Sequence, residues 1–425
     1  MLSHLLPSSP VSRALSLQSI LSAAGEGAFL TGSAVYFTQV VGLTAAKVGL
    51  GMSLAGVVVF FVAIPLGRLS DAIGARRLWS LMAAAQAVAY LLWPAIHGFV
   101  AYLAVTVLLE TVVAAARSAR GAYTLDAFTG EDRVRSLAFM RSARNIGYTL
   151  GALISGLALA TDSLSVVRTI PFVTAGLLVV NAVLVRRLPA PSHHTHVDSG
   201  SALTPGALRN RGFLALTACN GVLATNQVLL NVVIPLWLVE ETDAPRVLLA
   251  WLFGTNTVLA VLLQVAASRG AETVPGALRA SRRSAVFFVL SCLIVLVTHD
   301  TVGWVTIALV WLGHVTVTGA ELFQSAGQWG LMAELSDPRR RGEYQGAAQL
   351  GDTVGMVWAP ATYTYLAISW GTPGWLLIAS IVVLATTAMH PAARAAQRYL
   401  DAHAPAELSD AEGALAPTPS DRSEV

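Results

Sequence analysis

The chain repeats one feature that leaves few possible folds: an apolar run long enough to cross a bilayer. Such runs lie near 17–40, 45–66, 77–97, 100–124, 136–160 and 166–186 in a first half. They recur near 212–238, 246–268, 284–299, 302–333, 344–368 and 372–392 in a second. About 20 mostly apolar residues suffice for one helical crossing. Lipid cannot satisfy exposed peptide groups, so only α-helices and closed β-barrels span a membrane. Runs such as Val57–Ile64 and Ile381–Ala385 are continuously apolar, without the two-residue alternation of a barrel strand. The pattern predicts an all-α membrane protein with twelve transmembrane helices in two six-helix halves. Composition agrees: 12% of residues are charged and mean hydropathy is +0.64, whereas soluble domains carry about 25% charged residues.

Charge orients these helices. All but one of the 27 Lys and Arg residues are arginine. With the N-terminus inside, arginine clusters fall in the inner loops at 67–77, 133–135, 186–211, 269–283 and 339–341. The outer loops hold Lys47, Arg168 and Arg246 and gather the acids Glu240, Glu241, Asp243 and Asp300. Cytoplasmic loops carry such a cationic excess, so both termini are expected in the cytoplasm of a plasma membrane. The arginine- and alanine-rich usage fits a high-GC bacterium. The net charge of +3 is scattered in short clusters, which argues against a nucleic-acid surface. No cleavable signal peptide is evident before the first run, which is expected to serve as an uncleaved signal-anchor. Cys219 and Cys292 fall inside apolar runs and read as packing residues, not as a disulfide or metal site. The sole lysine is Lys47 and no phosphate-cradling Gly-Lys-Ser/Thr loop occurs, so ATP-driven chemistry is not expected. The chain does not read as an enzyme, and no cofactor or metal is expected.

The widest interior break, 188–210, contains Pro189, Pro191 and the tract His193-His194-Thr195-His196. It reads as a polar linker, with metal capture by the histidines as the alternative. The expected organisation is a first half over 1–187, this linker, a second half over 211–398, and an acidic, disordered cytoplasmic tail over 399–425. The halves repeat in parallel. Ala127-Phe-Thr-Gly-Glu-Asp-Arg-Val-Arg135 and Ala333-Glu-Leu-Ser-Asp-Pro-Arg-Arg-Arg341 each join the end of a long helix, an acidic turn and a basic cluster to a glycine-containing helix. Six crossings return the chain to its starting side, so the repeat implies a pseudo-two-fold axis along the membrane normal.

Three segments add specificity. Between the second and third helices the chain reads Gly67-Arg-Leu-Ser-Asp71-Ala-Ile-Gly74-Ala-Arg76-Arg77. Its glycines permit close approach and a sharp turn, and Asp71 can accept hydrogen bonds at a helix end. This loop resembles the signature loop of the major facilitator superfamily, with Ala72 and Ala75 where basic residues are usual. The resemblance implies that Gly67, Asp71, Gly74, Arg76 and Arg77 latch the two halves in one conformation. Arg117-Ser-Ala-Arg120-Gly121-Ala122 resembles the family's fourth-helix motif, whose arginine is associated with proton coupling; Arg120 stands where glutamine is usual. Gly147-Tyr-Thr-Leu-Gly151-Ala152-Leu-Ile-Ser155-Gly156 resembles the fifth-helix motif of the antiporters, with Ala152 in place of proline. Gly147, Gly151 and Gly156 equally read as small-residue helix packing.

Ionisable residues inside apolar helices mark pathways or relays by default. The acids in this position are Glu26, Glu110, Glu321 and Asp352, and Arg117 lies about two turns from Glu110 on one face. Asn226 and Asn231, with Asn220 and Gln227, add neutral polar groups to the seventh helix. Arg141 and Arg144 read as cations snorkelling to the interface. Trp251, Phe253, Phe323 and Trp329 offer apolar or cation–π surface. Parallel-repeat transporters bind substrate near the midplane between halves. The expected function is therefore proton-coupled efflux of a small drug-like or secondary-metabolite compound by a monomer resembling drug:proton antiporters. Proton-linked uptake of a sugar, peptide or organic acid is one alternative; a non-transporting membrane sensor is the other. An apolar cavity with one or two acids favours lipophilic cations.

Overall fold

The structure is a computed structural model that describes residues 9–128, 130–161, 163–190, 206–245 and 247–403. The histidine tract at 193–196 and most of the acidic tail lie outside these residues. Twelve helical rods follow one another, and no strand occurs among the described residues. The first half comprises α1 (Pro10–Val35), α2 (Ala45–Ile73), α3 (Ala75–Tyr90), α4 (Gly98–Ala127), α5 (Gly130–Leu159) and α6 (Ile170–Arg187). The second comprises α7 (Arg211–Glu241), α8 (Leu248–Ala267), α9 (Val274–Leu296), α10 (Trp304–Glu334), α11 (Arg341–Thr364) and α12 (Thr372–Ala402).

Local chemistry sets the ends. Ser9 and Thr44 cap α1 and α2 by accepting from Ser12 N and Lys47 N at 3.0 and 3.3 Å, which satisfies donors a helix start leaves open. Gly74 turns between α2 and α3 at φ +93°, a region open to glycine at no steric cost. Within α7 a π-helical stretch, Leu229–Val233, precedes Pro235. Eight helices are long and apolar enough to cross a membrane by length and composition. Among the remaining four, α1, α5 and α11 carry Glu26, Arg141 with Arg144, and Asp352. Those charges lower the mean hydropathy of helices that turn toward the interior of the bundle.

Two elements run further than the apolar runs suggest. Helix α9 begins at Val274, so Arg279, Arg282 and Arg283, expected in a loop, sit in its first turns. Gly276, Ala277, Ala280 and Ser281 are buried on its opposite side, an amphipathic extension rather than a continuous apolar one. Helix α12 continues to Ala402, past the expected end of the second half at residue 398. Pro391 lies inside it, and Ala392, Ala393 and Ala396 remain buried beyond that proline.

Packing reproduces the repeat. In the first half α1 contacts α5 and α6, α3 contacts α4 and α6, and α2 contacts α4. In the second, α7 contacts α11 and α12, α9 contacts α10 and α12, and α8 contacts α10. Each pairing is the other half's pairing advanced by six helices. The seams between halves, α2 with α11 and α5 with α8, are also exchanged by that operation. Because twelve crossings are even, Pro10 and Ala402 lie at one face, the terminal face.

Candidate functional site

At the terminal face the halves are bonded together. Asp71, near the end of α2, accepts from Gly342 N at 2.6 Å and from Glu343 N at 2.9 Å, placing an anion at the positive N-terminus of α11. Glu343 is buried and takes Arg68 at 3.1 Å and Arg340 at 3.0 Å, and its Oε1 also accepts from Ala207 N. Ser118 donates to Gly342 O at 3.0 Å, Arg341 pairs with Asp126, and Arg133 pairs with Glu334 at 3.6 Å. A Cβ at Gly67 would collide with the Gly342 backbone, and one at Gly346 with that of Ala63. Of the residues singled out in that turn, Gly67 and Asp71 lie at the α2–α11 seam, whereas a Cβ at Gly74 would meet nothing within 4 Å. Arg76 instead binds its own half, donating to Leu188 O at 2.7 Å, and Arg77 is exposed.

The bonds between halves continue up to Arg141 and Ser142 on α5. Arg141 pairs with Glu321 of α10, and Ser142 donates to Ala260 O of α8 at 3.5 Å. Between the halves lies a cavity of about 870 Å³ that extends past Ala152 and Asn231 toward the opposite face. Both halves line it. Its charged residues are Arg117, Arg120, Arg141, Arg144, Glu321 and Asp352. Phe253 and Trp329 are also in its wall. Trp251 is exposed on the outside, and Phe323 stacks on Phe287 with the Arg283 guanidinium 5.7 Å from its ring.

Glu26 is held where α1 and α5 pack closest. A Cβ at Gly147 would meet Ile20 O and Ala23, and one at Gly151 would meet Ala24 O and Ala28 N. Ser155, in the same row, donates to Ala28 O. This approach brings Tyr148 OH to Glu26 Oε2 at 2.9 Å and Arg144 to the same oxygen at 3.3 Å. Arg144 also donates to Tyr148 OH at 2.7 Å, and Ser22 donates to Glu26 Oε1 at 3.1 Å. Gly156 differs from its two partners: a Cβ there meets nothing within 4 Å, so it is not a packing contact. A second cavity of about 70 Å³ joins Glu26 and Arg120 to Gln18, Gln86 and Asn181, polar surroundings of a size that suits water.

The second half holds its acids with amides. Asn256 donates to the second oxygen of Glu321 at 3.0 Å. Asp352 receives Gln328 at 3.1 Å and Asn220 at 3.3 Å, and Gln324 donates onward to Asn220 at 3.1 Å. Of the two asparagines singled out, Asn231 lines the large cavity, whereas Asn226 is fully buried and donates to Leu223 O at 2.8 Å. Glu110 lines neither cavity, and no hydrogen bond joins it to Arg117 among the described residues.

Arg144 and Arg141 are thus partners of carboxylates, not cations snorkelling to the interface. The sequence signal for Arg144 was Tyr148, one turn on inside the glycine motif that begins at Gly147. Glu343 was missed because it follows Arg339–Arg341 and reads as a solvated charge run. The balance of the cavity also changes: four arginines line the two cavities against three carboxylates, which removes the basis for expecting cationic substrates.

A model of the Major Facilitator Superfamily matches residues 15–360. The chain belongs to that superfamily. Among curated proteins none matches it in sequence. The fold is similar to several solved transporters. The human organic anion transporter MFSD10 (TETRAN) has 15% identity and a TM-score of 0.65, over 90% of this chain and 100% of that one. A bacterial homologue of the iron transporter ferroportin in an outward-facing state has 14% identity and a TM-score of 0.64, over 92% and 100%. The superfamily transporter FucP in its outward conformation has 16% identity and a TM-score of 0.67, over 91% and 98%. At these identities the likeness is one of fold; the superfamily match and the apolar helices make the chain a multi-pass membrane protein.

Proposed function

We propose that the chain is a proton-coupled secondary transporter that exports small organic compounds across a bacterial plasma membrane by alternating access. The observation that supports this reading is the cavity of about 870 Å³ between two equivalent halves whose bonds to each other, among the described residues, lie toward one face up to Arg141 and Ser142. We take the terminal face as cytoplasmic because arginines gather there; the conformation is then outward-open. Rocking of the halves about the midplane site exchanges this state for its inward-open counterpart. The halves are residues 1–187 and 211–398, joined by the linker at 188–210, and one monomer contains both.

Proton coupling is assigned to Glu26. As a carboxylate it neutralises Arg144 across the α1–α5 contact. A proton on Glu26 dissolves that pair and leaves the Arg144 guanidinium facing the cavity. The protonation state of Glu26 thereby sets the charge that faces the substrate, which links proton binding and substrate binding in one site. Glu321 and Asp352 form the second-half wall, and Asp71 with Gly67 and Gly74 forms the inner latch. The α5 glycine motif favours export over uptake.

The decisive measurement uses everted vesicles with an imposed proton gradient and a fluorescent pH reporter. Addition of an exported compound is expected to release the gradient in vesicles that contain the chain and not in vesicles that lack it. Protonophore-sensitive accumulation in intact cells would establish uptake instead. Absence of flux in either orientation across a drug-like panel would sink transport and leave the sensor reading.

A further inference from the structure

Each acid that lines the two cavities already has its partners. Glu26 is held by Arg144, Tyr148 and Ser22; Glu321 by Arg141 and Asn256; Asp352 by Gln328 and Asn220. Two cations have no bonded partner: Arg120 senses Glu26, and Arg117 senses Glu110 and Asp352, only through space. Neither Arg117 nor Arg120 donates a hydrogen bond or forms an ion pair among the described residues. They are three residues apart on α4 and so share one face about a turn apart. Both line the large cavity and the small polar cavity behind it. A guanidinium offers five donors and no acceptor, and a charge inside a bilayer is costly without a counter-charge. Glu110, the remaining acid near Arg117, lies about two turns along α4, outside both cavities.

Resting on the transport reading above, we propose that Arg117 and Arg120 bind the anionic group of the substrate, and that the substrate is an amphipathic organic carboxylate. The excess of one positive charge in the lining matches a monoanion. The planar fork of arginine matches the two oxygens of a carboxylate. The same cavity presents Met140, Phe253, Trp329, Met332 and Met356, an adaptable apolar surface for the remainder of the molecule. Arg120 is the departure from the family motif, where glutamine is usual, so the second cation of the pair is a property of this chain.

The test compares three compounds of one shape: 2-naphthoate, 2-naphthylmethanol and 2-naphthylmethylammonium. Binding to the purified full-length protein is read by thermal shift and calorimetry in detergent. Saturable binding of 2-naphthoate in preference to the other two is expected. Arg117→Gln and Arg120→Gln are each expected to weaken it roughly tenfold or more, the loss of one charge-assisted hydrogen-bonded contact. Arg120→Lys, which keeps the charge without the fork, is expected to fall between. The unliganded melting temperature of each variant shows whether it folds, and Arg120→Lys carries the test if a glutamine variant does not. Preference for the ammonium compound, equal binding of all three, binding of none, or undiminished 2-naphthoate affinity in both glutamine variants overturns the assignment. So does a chloride-induced shift that 2-naphthoate neither adds to nor displaces, which would give the arginines to an inorganic anion. Flux in proteoliposomes is scored separately: carriage of the ammonium compound alone leaves transport standing and removes the anion site. Naphthoate binding without flux of any compound supports the site and counts against transport.

Discussion

Glu26 and Arg144 show how a costly charge becomes tolerable inside an apolar bundle. Breaking a buried ion pair by removing one partner costs about 3–5 kcal/mol, whereas neutralising both members is often nearly neutral. Here each side chain keeps 23% exposure and Tyr148 remains as a neighbour, so Glu26→Gln is expected at or below the low end of that range. Tyr148→Phe, which removes one hydroxyl, is expected to cost about 1 kcal/mol. The double variant Glu26→Gln with Arg144→Gln is expected to recover most of the stability lost in the single one. Thermal unfolding in detergent measures these variants together with the Arg144→Gln single variant, and simply additive costs of the two single variants in the double would show that the two residues do not depend on each other. The carboxylate was legible in the sequence because an acid flanked by Gly25 and Gly27 within an apolar run has few bland explanations. Its partner was not. Position along α5 fixes how deep Arg144 lies but not which way it points, and that direction comes from packing against α1.

At the scale of the element, the fifth-helix motif presented three glycines as equals and the structure separates them. Gly147 and Gly151 lie against the α1 backbone, while Gly156 faces open space. A methyl group at 151 must displace backbone atoms of Ala24 and Ala28, and overpacking of this kind costs about 1–3 kcal/mol. At 156 the same methyl group meets nothing, and alanine gains up to about 1 kcal/mol of helix propensity over glycine. Gly151→Ala is therefore expected to lower the melting temperature and impair coupling through Glu26, and Gly156→Ala to leave both unchanged or slightly raise stability. Equal loss in the two variants would remove the α1–α5 contact as the reason for the motif. Helix number and order were readable because hydropathy reports burial in lipid. The amphipathic start of α9 and the end of α12 were not, because a helix buried on one side beyond the bilayer carries no continuous apolar run. Spacing along a sequence likewise identifies a glycine row without saying which members touch a neighbour.

Across the whole molecule, the closed face is held by a few polar contacts between halves that must also separate. Asp71 accepts from two backbone donors at the start of α11, while the Glu343 cluster and the Arg341–Asp126 pair flank it. The sequence motif located the first-half side of this seam. The second-half side, Gly342 and Glu343, lies in the first turn of α11 directly after the basic cluster Arg339–Arg341 and carries no counterpart of the motif, so only the folded chain reveals that one half's turn caps the other half's helix. A charge at a helix N-terminus contributes about 0.3–1 kcal/mol when exposed and up to about 2 kcal/mol when partly buried. Asp71→Asn is thus expected to shift the population toward the state open at the terminal face by roughly two- to thirtyfold. Gln345 lines the floor of the cavity beside Gly121, where a label reports that opening. In a Cys219→Ser, Cys292→Ser background, Gln345→Cys should react slowly with a membrane-impermeant maleimide added at the terminal face. Asp71→Asn should accelerate the reaction severalfold and slow labelling from the opposite face in proportion. A rise on both faces would indicate a loosened bundle, and no change on either would show that the seam is held without the cap. The reciprocal change alone fits two rigid halves that exchange one seam for another about the same cavity.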